Sequence, residues 1–170
     1  MRAWFVHQIN GVVVVEYLPA PLGDRHPIGV SLAARSLGIP EEHWDKGESG
    51  AASRLARWTK DLLRNITSKC EAPYGAIGVE IRFATPSQLR EGSLHMTSEV
   101  FVSRQLLTSH PSLERTLNED YGQGEALDWP HGTFFSTWAP YNARRVTVSG
   151  IQNRLRRSEL ALGNAMLAHP

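Results

Sequence analysis

Alternating apolar and polar residues predict strands at several places in this chain of 170 residues. Near the start, the runs AWFVHQI and VVVVEYL flank Asn10-Gly11, a dipeptide that favours a type I′ turn because both turn residues need positive φ. The run VVVV has no polar alternation, which predicts that this arm is covered on both faces. Residues 76–83 alternate cleanly and residues 95–103 form the next apolar run, so we expect a hairpin followed by two central strands.

Apolar residues at helical spacing predict three to four helices. Residues 50–66 carry one apolar stripe, with Ser49 as the expected N-cap. Residues 151–168 are expected to form the closing helix, in which Leu160 and Leu167 lie off the main apolar face. Shorter helices or turns are expected at 28–37, at 85–92 and from Pro111 onward.

A second hairpin is predicted from TFFSTW and RVTVS, because the joining APYNA contains the turn-forming Pro140 and Asn142. Strands grouped in hairpins, with helices inserted between them, favour an α+β fold. We expect a mainly antiparallel β-sheet of about five to six strands, made of two hairpins plus central strands, with three to four helices packed on it. The length predicts a single globular domain over residues 1–170.

The composition argues against several classes of protein. Cys70 is the single cysteine, so an intrachain disulfide and a thiolate metal cage are excluded. The N-terminal residues lack the long apolar region and cleavage site of a secretory signal, and no window approaches the ~18 apolar residues of a membrane span. We therefore expect a cytoplasmic protein with no membrane partner, and no motif predicts a metal or another cofactor.

The formal net charge of +1 conceals two segments of opposite sign. Residues 114–128 hold five acidic residues against one basic residue, and residues 141–170 hold five arginines against one acidic residue. Such segments are typical of solvated faces that differ in sign, or of two faces that lie against each other in the fold. An acidic face would also steer the protein toward a basic partner.

A repeated His-x-Thr pattern is the strongest hint of catalysis. It occurs at His95 and Thr97 and again at His131 and Thr133. In two-histidine phosphoesterases, paired motifs of this kind hold a phosphate, with one imidazole acting as base and the other as acid. The pattern is short enough to arise by chance, and its two copies are only 36 residues apart. A small two-histidine phosphoesterase-like hydrolase is therefore the second alternative.

Nucleic-acid binding by an accessory protein is the first alternative. Arginines near the C-terminus could contact phosphates, and Trp138 and Tyr141 could stack on bases. Against this hypothesis, the isoelectric point of about 8.0 is modest for a dedicated nucleic-acid binder. The candidate arginines are Arg144, Arg145, Arg154, Arg156 and Arg157.

The aromatic segment 129–141 is the remaining candidate. Phe134 and Phe135 must point to opposite faces of a strand, so both are buried only if the sheet is covered on both sides. Aromatic residues beside arginines are also typical of protein-binding faces. We predict a non-enzymatic protein-binding module, such as an inhibitor or immunity-type protein that occludes a cognate basic toxin or enzyme. The expected binding residues are Trp129, Trp138, Tyr141, Glu119, Asp120, Glu125 and Asp128.

Overall fold

The computed structural model has the predicted α+β fold with antiparallel strands, distributed over two sheets. One sheet has three strands and the other has four. The four-stranded sheet carries most of the buried core, and the candidate site lies at its edge. The structure describes residues 3–8, 11–24, 27–32, 46–78, 84–92, 97, 99–122, 124–136 and 148–168.

The three-stranded sheet begins with the predicted hairpin. Strands β1 (Ala3–Gln8) and β2 (Gly11–Tyr17) pair antiparallel up to Gln8 and Gly11, so Gly11 is the first residue of β2 rather than part of the turn. Asn10 lies outside the described residues. Val14 and Val15 alternate between the two faces and each is half-buried, so the expected cover on both faces is only partial.

The expected helix over residues 28–37 is wrong at its start, because Ile28–Leu32 forms strand β3. This strand pairs antiparallel with β2, and residues 33–37 lie outside the described part of the chain. The loop between β2 and β3 connects this sheet to the helices. There, the Asp24 carboxylate accepts hydrogen bonds from the Ser87 backbone N–H at 3.2 Å and from its hydroxyl at 2.9 Å.

The four-stranded sheet consists of β4 (Tyr74–Ile77), β5 (Glu99–Ser103), β6 (Glu125–Trp129) and β7 (Gly132–Ser136). The spatial order is β4-β5-β7-β6, and each neighbouring pair is antiparallel. Strand β4 thus includes the start of the predicted strand at 76–83, whose residues 79–83 lie outside the described chain. The two central strands and the two edge strands have different environments, and this difference decides where a site can form.

The second hairpin has a different partner strand from the predicted one. Strand β7 pairs with β6, across the turn at Pro130-His131. The end of the acidic segment is therefore a strand, whereas Val148 and Ser149 of the expected partner run RVTVS belong to a helix. Residues 137–147, which include the predicted turn at Pro140 and Asn142, lie outside the described residues.

The described residues form five helices: α1 (Lys46–Cys70), α2 (Pro86–Glu91), α3 (Arg104–Ser109), α4 (Pro111–Tyr121) and α5 (Val148–Ala168). Ser49 lies inside α1 and is not its N-cap. Helix α3 was not predicted, although Ser103 caps it by accepting a hydrogen bond from the Leu106 N–H at 3.2 Å. Its six residues are too short to show a clear helical periodicity.

Both faces of the central strands are covered. Val100, Val102 and Phe135 face the larger core, together with residues of α2 to α5. Phe101 and Phe134 face the opposite way, toward a smaller cluster that includes Leu63 of α1. The two neighbouring phenylalanines of β7 are thus both buried, as the sequence requires for a sheet with two covered faces.

Helices α2 and α5 cross at very short range. A Cβ atom at Gly163 would lie 2.4 Å from the Arg90 backbone nitrogen and 2.9 Å from the carbonyl carbon of Leu89. Because backbone atoms cannot swing aside like the end of a side chain, this crossing requires glycine. The close contact holds α2 against α5 at the base of the larger core.

We expect Gly163→Ala to lower the free energy of unfolding by about 1–3 kcal/mol, measured by urea denaturation, since overpacking outweighs the gain in helix propensity. Gly50→Ala is the matched control. A Cβ at Gly50 meets only the end of the Arg54 side chain, at 3.5 Å. This control should raise stability by up to about 1 kcal/mol. Equal effects of the two variants would contradict the proposed close crossing.

Candidate functional site

Trp129 is a core residue rather than an exposed anchor. It is 5 % exposed, and its ring stacks on Phe134 with a centroid distance of 4.6 Å and on Phe101 with one of 5.6 Å. Gly132, opposite Trp129 in the hairpin, leaves room for this stack, because a Cβ there would meet the Phe101 ring and the Val102 carbonyl. Trp129 is therefore not available to a partner, contrary to the prediction. The other predicted aromatic residues, Trp138 and Tyr141, lie outside the described residues.

The strand that leads into Trp129 is exposed on both faces. All four residues before Trp129 are exposed, and they are Glu125, Ala126, Leu127 and Asp128. Strand β6 is at the edge of the sheet, and in the described part of the chain no strand pairs with its outer side. Edge strands present unpaired backbone N–H and C=O groups to solvent. Strand β6 is thus open to contact by side chains and by backbone.

The side chains of β6 make this edge acidic. Asp128 accepts a hydrogen bond from Arg104 Nη2 at 2.7 Å, and both side chains are largely exposed, so solvent weakens this ion pair. Arg104 also donates to the Trp129 carbonyl at 3.2 Å, which ties α3 to the end of β6. None of the described cations forms a salt bridge with Glu125. Glu125 and Asp128 are therefore predicted binding residues that remain accessible.

The other two predicted acidic binding residues serve the fold. Asp120 on α4 is 3 % exposed and forms an ion pair with Arg157 on α5, and it accepts a hydrogen bond from the Ser158 hydroxyl at 2.7 Å. Glu119 lies 3.6 Å from Arg157 and is half-exposed. These contacts raise the pKa of Arg157, with the hydrogen bond to Asp120 as the largest cause. At these residues, the acidic and basic segments lie against each other.

Removing the buried Asp120 carboxylate tests whether its contacts hold α4 against α5. Asp120→Ala should lower the free energy of unfolding by roughly 2–4 kcal/mol, since it leaves the buried Ser158 hydroxyl without this acceptor and breaks the ion pair. Glu119→Ala, at the exposed end of the same cluster, should cost much less. Urea denaturation of both variants measures the difference, and equal losses would show that Asp120 does not hold the two helices together.

The structure describes the side chains of two of the five candidate nucleic-acid arginines, Arg156 and Arg157. Arg144 and Arg145 lie outside the described residues, and so does the side chain of Arg154. Arg156 is exposed on α5, whereas Arg157 is engaged by Asp120 and Glu119. Of the candidate arginines whose side chains are described, Arg156 alone is freely accessible, and one arginine does not make a phosphate-binding surface.

The paired His-x-Thr motifs also stay apart. The Thr97 hydroxyl donates to the Glu99 carbonyl at 2.6 Å, and the Thr97 carbonyl accepts from the buried Tyr121 hydroxyl at 2.7 Å. Thr133 pairs with Val102, three residues along β5 from Glu99, which corresponds to roughly 10 Å of strand. The two threonines therefore cannot hold one phosphate. His131 is exposed in the β6–β7 turn, and His95 lies outside the described residues.

A row of polar residues crosses the sheet at the other end of β6, and it runs from buried Glu99 and Ser136 to exposed Glu125. Glu99 of β5 and Glu125 of β6 flank Ser136 of β7 in register, and Lys60 of α1 lies above them. Lys60 Nζ is 3.9 Å from Glu99 Oε1 and 5.0 Å from the centre of the Phe134 ring, and the Ser136 hydroxyl is 3.5 Å from Glu99. These distances are long, so the contacts compensate only partly for the burial of the Glu99 carboxylate.

Burial therefore raises the pKa of Glu99, against the lowering effects of Lys60 and Ser136, and the Glu125 charge raises it further. A proton bound more tightly in the folded state stabilises the fold at low pH, and this contribution is lost as the pH rises through the folded-state pKa. Compared with Glu99→Gln, the wild type should lose stability as the pH rises above the usual value of 4.5. Thermal unfolding of both proteins from pH 4 to pH 8 measures this difference, and parallel pH profiles would contradict it.

Sequence reasoning did not find several residues of this region. Ala126 and Leu127 carry no chemical signal of their own and become notable only because β6 is an edge strand. Lys60 and Arg104 carry no signal in the sequence, because the carboxylates that they contact are 39 and 24 residues away. The sequence of β6 itself gives little indication of a strand, since Glu125-Ala126-Leu127-Asp128 does not alternate between polar and apolar residues.

The described residues contain no cluster of histidine, cysteine or acidic side chains that could hold a metal ion. Within the same ranges, no helix is long and apolar enough to cross a membrane. No family model matches the sequence, and neither the curated proteins nor the solved structures contain a match. The local geometry therefore carries the functional argument.

Proposed function

We propose that this chain is a non-enzymatic protein-binding module that recognises a basic partner through the exposed edge of β6. The observation that carries the proposal is the exposure of every residue from Glu125 to Asp128, on both faces of an edge strand. The function that suits this face best is inhibition or immunity, in which the chain covers the active surface of a basic toxin or enzyme.

The charges around β6 support a basic partner. Glu125 and Asp128 lie on the strand, and Glu114 is exposed on helix α4, which contacts β6. Carboxylates grouped in this way attract a cationic surface over a distance of about a Debye length and steer its approach. The exposed Leu127 between the two strand carboxylates offers apolar area at the centre of the contact.

No observation on the described residues favours the two alternative functions in the same way. Arg157, which the nucleic-acid hypothesis requires, is engaged within the fold. The hydrolase hypothesis requires Thr97 and Thr133 at one phosphate, and the register of β5 and β7 separates them. In contrast, Glu125 and Asp128 on the edge strand β6 are already exposed to a partner.

Reversing the edge charges should abolish partner binding. In a pull-down from nuclease-treated lysate of the source cells, Glu125→Lys with Asp128→Lys should lose a protein that the wild type retains at low salt and releases as salt rises. The matched control is Asp61→Lys with Glu91→Lys, which makes the same change in net charge at exposed positions on α1 and α2.

The control should keep the partner, because α1 packs on the opposite edge of the sheet and α2 lies against α5. Retention of the same protein by the β6 variant would contradict the proposed binding face. Loss of the partner from both variants would show that net charge alone governs binding, and would equally contradict a site on β6.

A further inference from the structure

The hydrogen-bond pattern of the sheet shows which backbone groups of β6 point outward. The Arg104 N–H donates to the His131 carbonyl at 2.8 Å, one residue beyond the pair Ser103 and Gly132. Hydrogen-bonded and non-hydrogen-bonded pairs alternate along an antiparallel ladder, so Ser103 and Gly132 form a non-hydrogen-bonded pair. The backbone N–H and C=O groups of these two residues therefore point away from each other. The N–H and C=O of Gly132 therefore face β6 and bond to Trp129, the residue opposite it.

The direction of the backbone N–H and C=O groups alternates from residue to residue along a strand, and this alternation gives the direction for the remaining residues of β6. Leu127 and Glu125 are two and four residues from Trp129, so their backbone groups also face β7. The N–H and C=O of Ala126 and Asp128 point outward, and in the described part of the chain no strand bonds to them. The outer edge of β6 thus offers two donors and two acceptors, spaced as a neighbouring strand would require.

We propose that the partner binds by adding an extended basic segment to β6 as a fifth strand of the sheet. This inference rests on the proposed function and specifies how the acidic edge is used. In strand addition, backbone hydrogen bonds hold the added segment and the alternating side chains select it. A segment of about five residues matches the length of β6.

The side chains of β6 specify the sequence of the added strand. Glu125 and Leu127 lie on the sheet face that carries Phe134, and Asp128 lies on the other face with Ala126. A cation opposite Glu125, an apolar residue opposite Leu127 and a second cation opposite Asp128 would complement both faces. Opposite charges directly across two strands are favourable, and like charges are unfavourable.

The same rule argues against a second copy of this chain as the occupant. Two β6 strands related by a twofold axis would bring the Glu125 and Asp128 carboxylates of one copy close to those of the other. Of these two carboxylates, Asp128 alone forms an ion pair with a described arginine, so the added negative charge would not be neutralised. A basic segment removes this repulsion and gains ion pairs.

A titration with a designed peptide tests the proposal. The probe is an acetylated and amidated peptide that places lysine opposite Glu125 and Asp128, valine opposite Leu127 and threonine opposite Ala126. Its control replaces both lysines by glutamate. Added to the ¹⁵N-labelled protein, the basic peptide should slow hydrogen exchange at the Ala126 and Asp128 amides, while the acidic peptide should leave both unchanged. Exchange at these amides that stays fast with saturating peptide would overturn strand addition.

A proline variant isolates the backbone contribution. Ala126→Pro removes an outward N–H but none of the bonds between β6 and β7, and edge strands accept proline at such a position. Peptide affinity should fall at least tenfold in Ala126→Pro and stay unchanged in Ala126→Thr, which keeps the N–H and the strand propensity. The exchange measurement on the wild type does not depend on whether the proline variant folds.

The outcomes separate this inference from the proposed function. Peptide binding that is lost in the Glu125→Lys, Asp128→Lys variant but unchanged in Ala126→Pro would overturn strand addition and leave the acidic binding face intact. Binding that is insensitive to both variants would overturn both. Failure of the wild type to bind the basic peptide would overturn strand addition, and the pull-down would then decide the proposed function alone. A larger particle in analytical ultracentrifugation of the free protein would instead indicate a second copy on β6.

Discussion

The covering of both faces of strands β5 and β7 is the constraint on which the rest of the structure depends. Since neighbouring residues of a strand point to opposite faces, Phe134 and Phe135 can both be buried only between two separate cores. Helices α2 to α5 supply one cover, and α1 together with Trp129 supplies the other. The close approach at Gly132 then lets the aromatic rings stack. The described aromatic residues of the hairpin are thereby used for stability, and accessible chemistry is left to the edge of the sheet.

The second organising interaction joins the two charged segments. Asp120 and Arg157 are 37 residues apart in the sequence, and their ion pair, with the Ser158 hydroxyl, ties α4 to α5 beside the larger core. The burial of Asp120 makes this contact specific, because a carboxylate without these partners would be costly to remove from water. It also divides the acidic segment into two parts. The end of α4 is neutralised by the basic helix, whereas β6 keeps its charge toward solvent.

The elements with strong local signals were predictable from the sequence. The first hairpin, the helix from Pro111 and the closing helix all formed where periodicity and turn residues indicated. The errors arose where tertiary pairing decides the outcome. Ile28–Leu32 is a strand because β2 offers it a partner, and β7 pairs with the acidic segment rather than with the run that follows it. The division of the predicted binding carboxylates into buried Asp120 and exposed Glu125 has the same origin. Both are acidic residues of one segment, and only the packing of α4 on α5 distinguishes them.

The acidic character of β6 has two physical readings, and they are compatible. Charged side chains on an edge strand discourage edge-to-edge association, because any similar acidic edge that approaches is repelled. The same carboxylates attract a strand of opposite charge, and the outward backbone groups of Ala126 and Asp128 are equally able to bond to it. Carboxylates of like charge can therefore protect the edge strand against self-association without another element covering it. An edge strand that is protected by charged side chains stays accessible to a partner of the opposite charge. A strand that binds one kind of partner needs this selectivity.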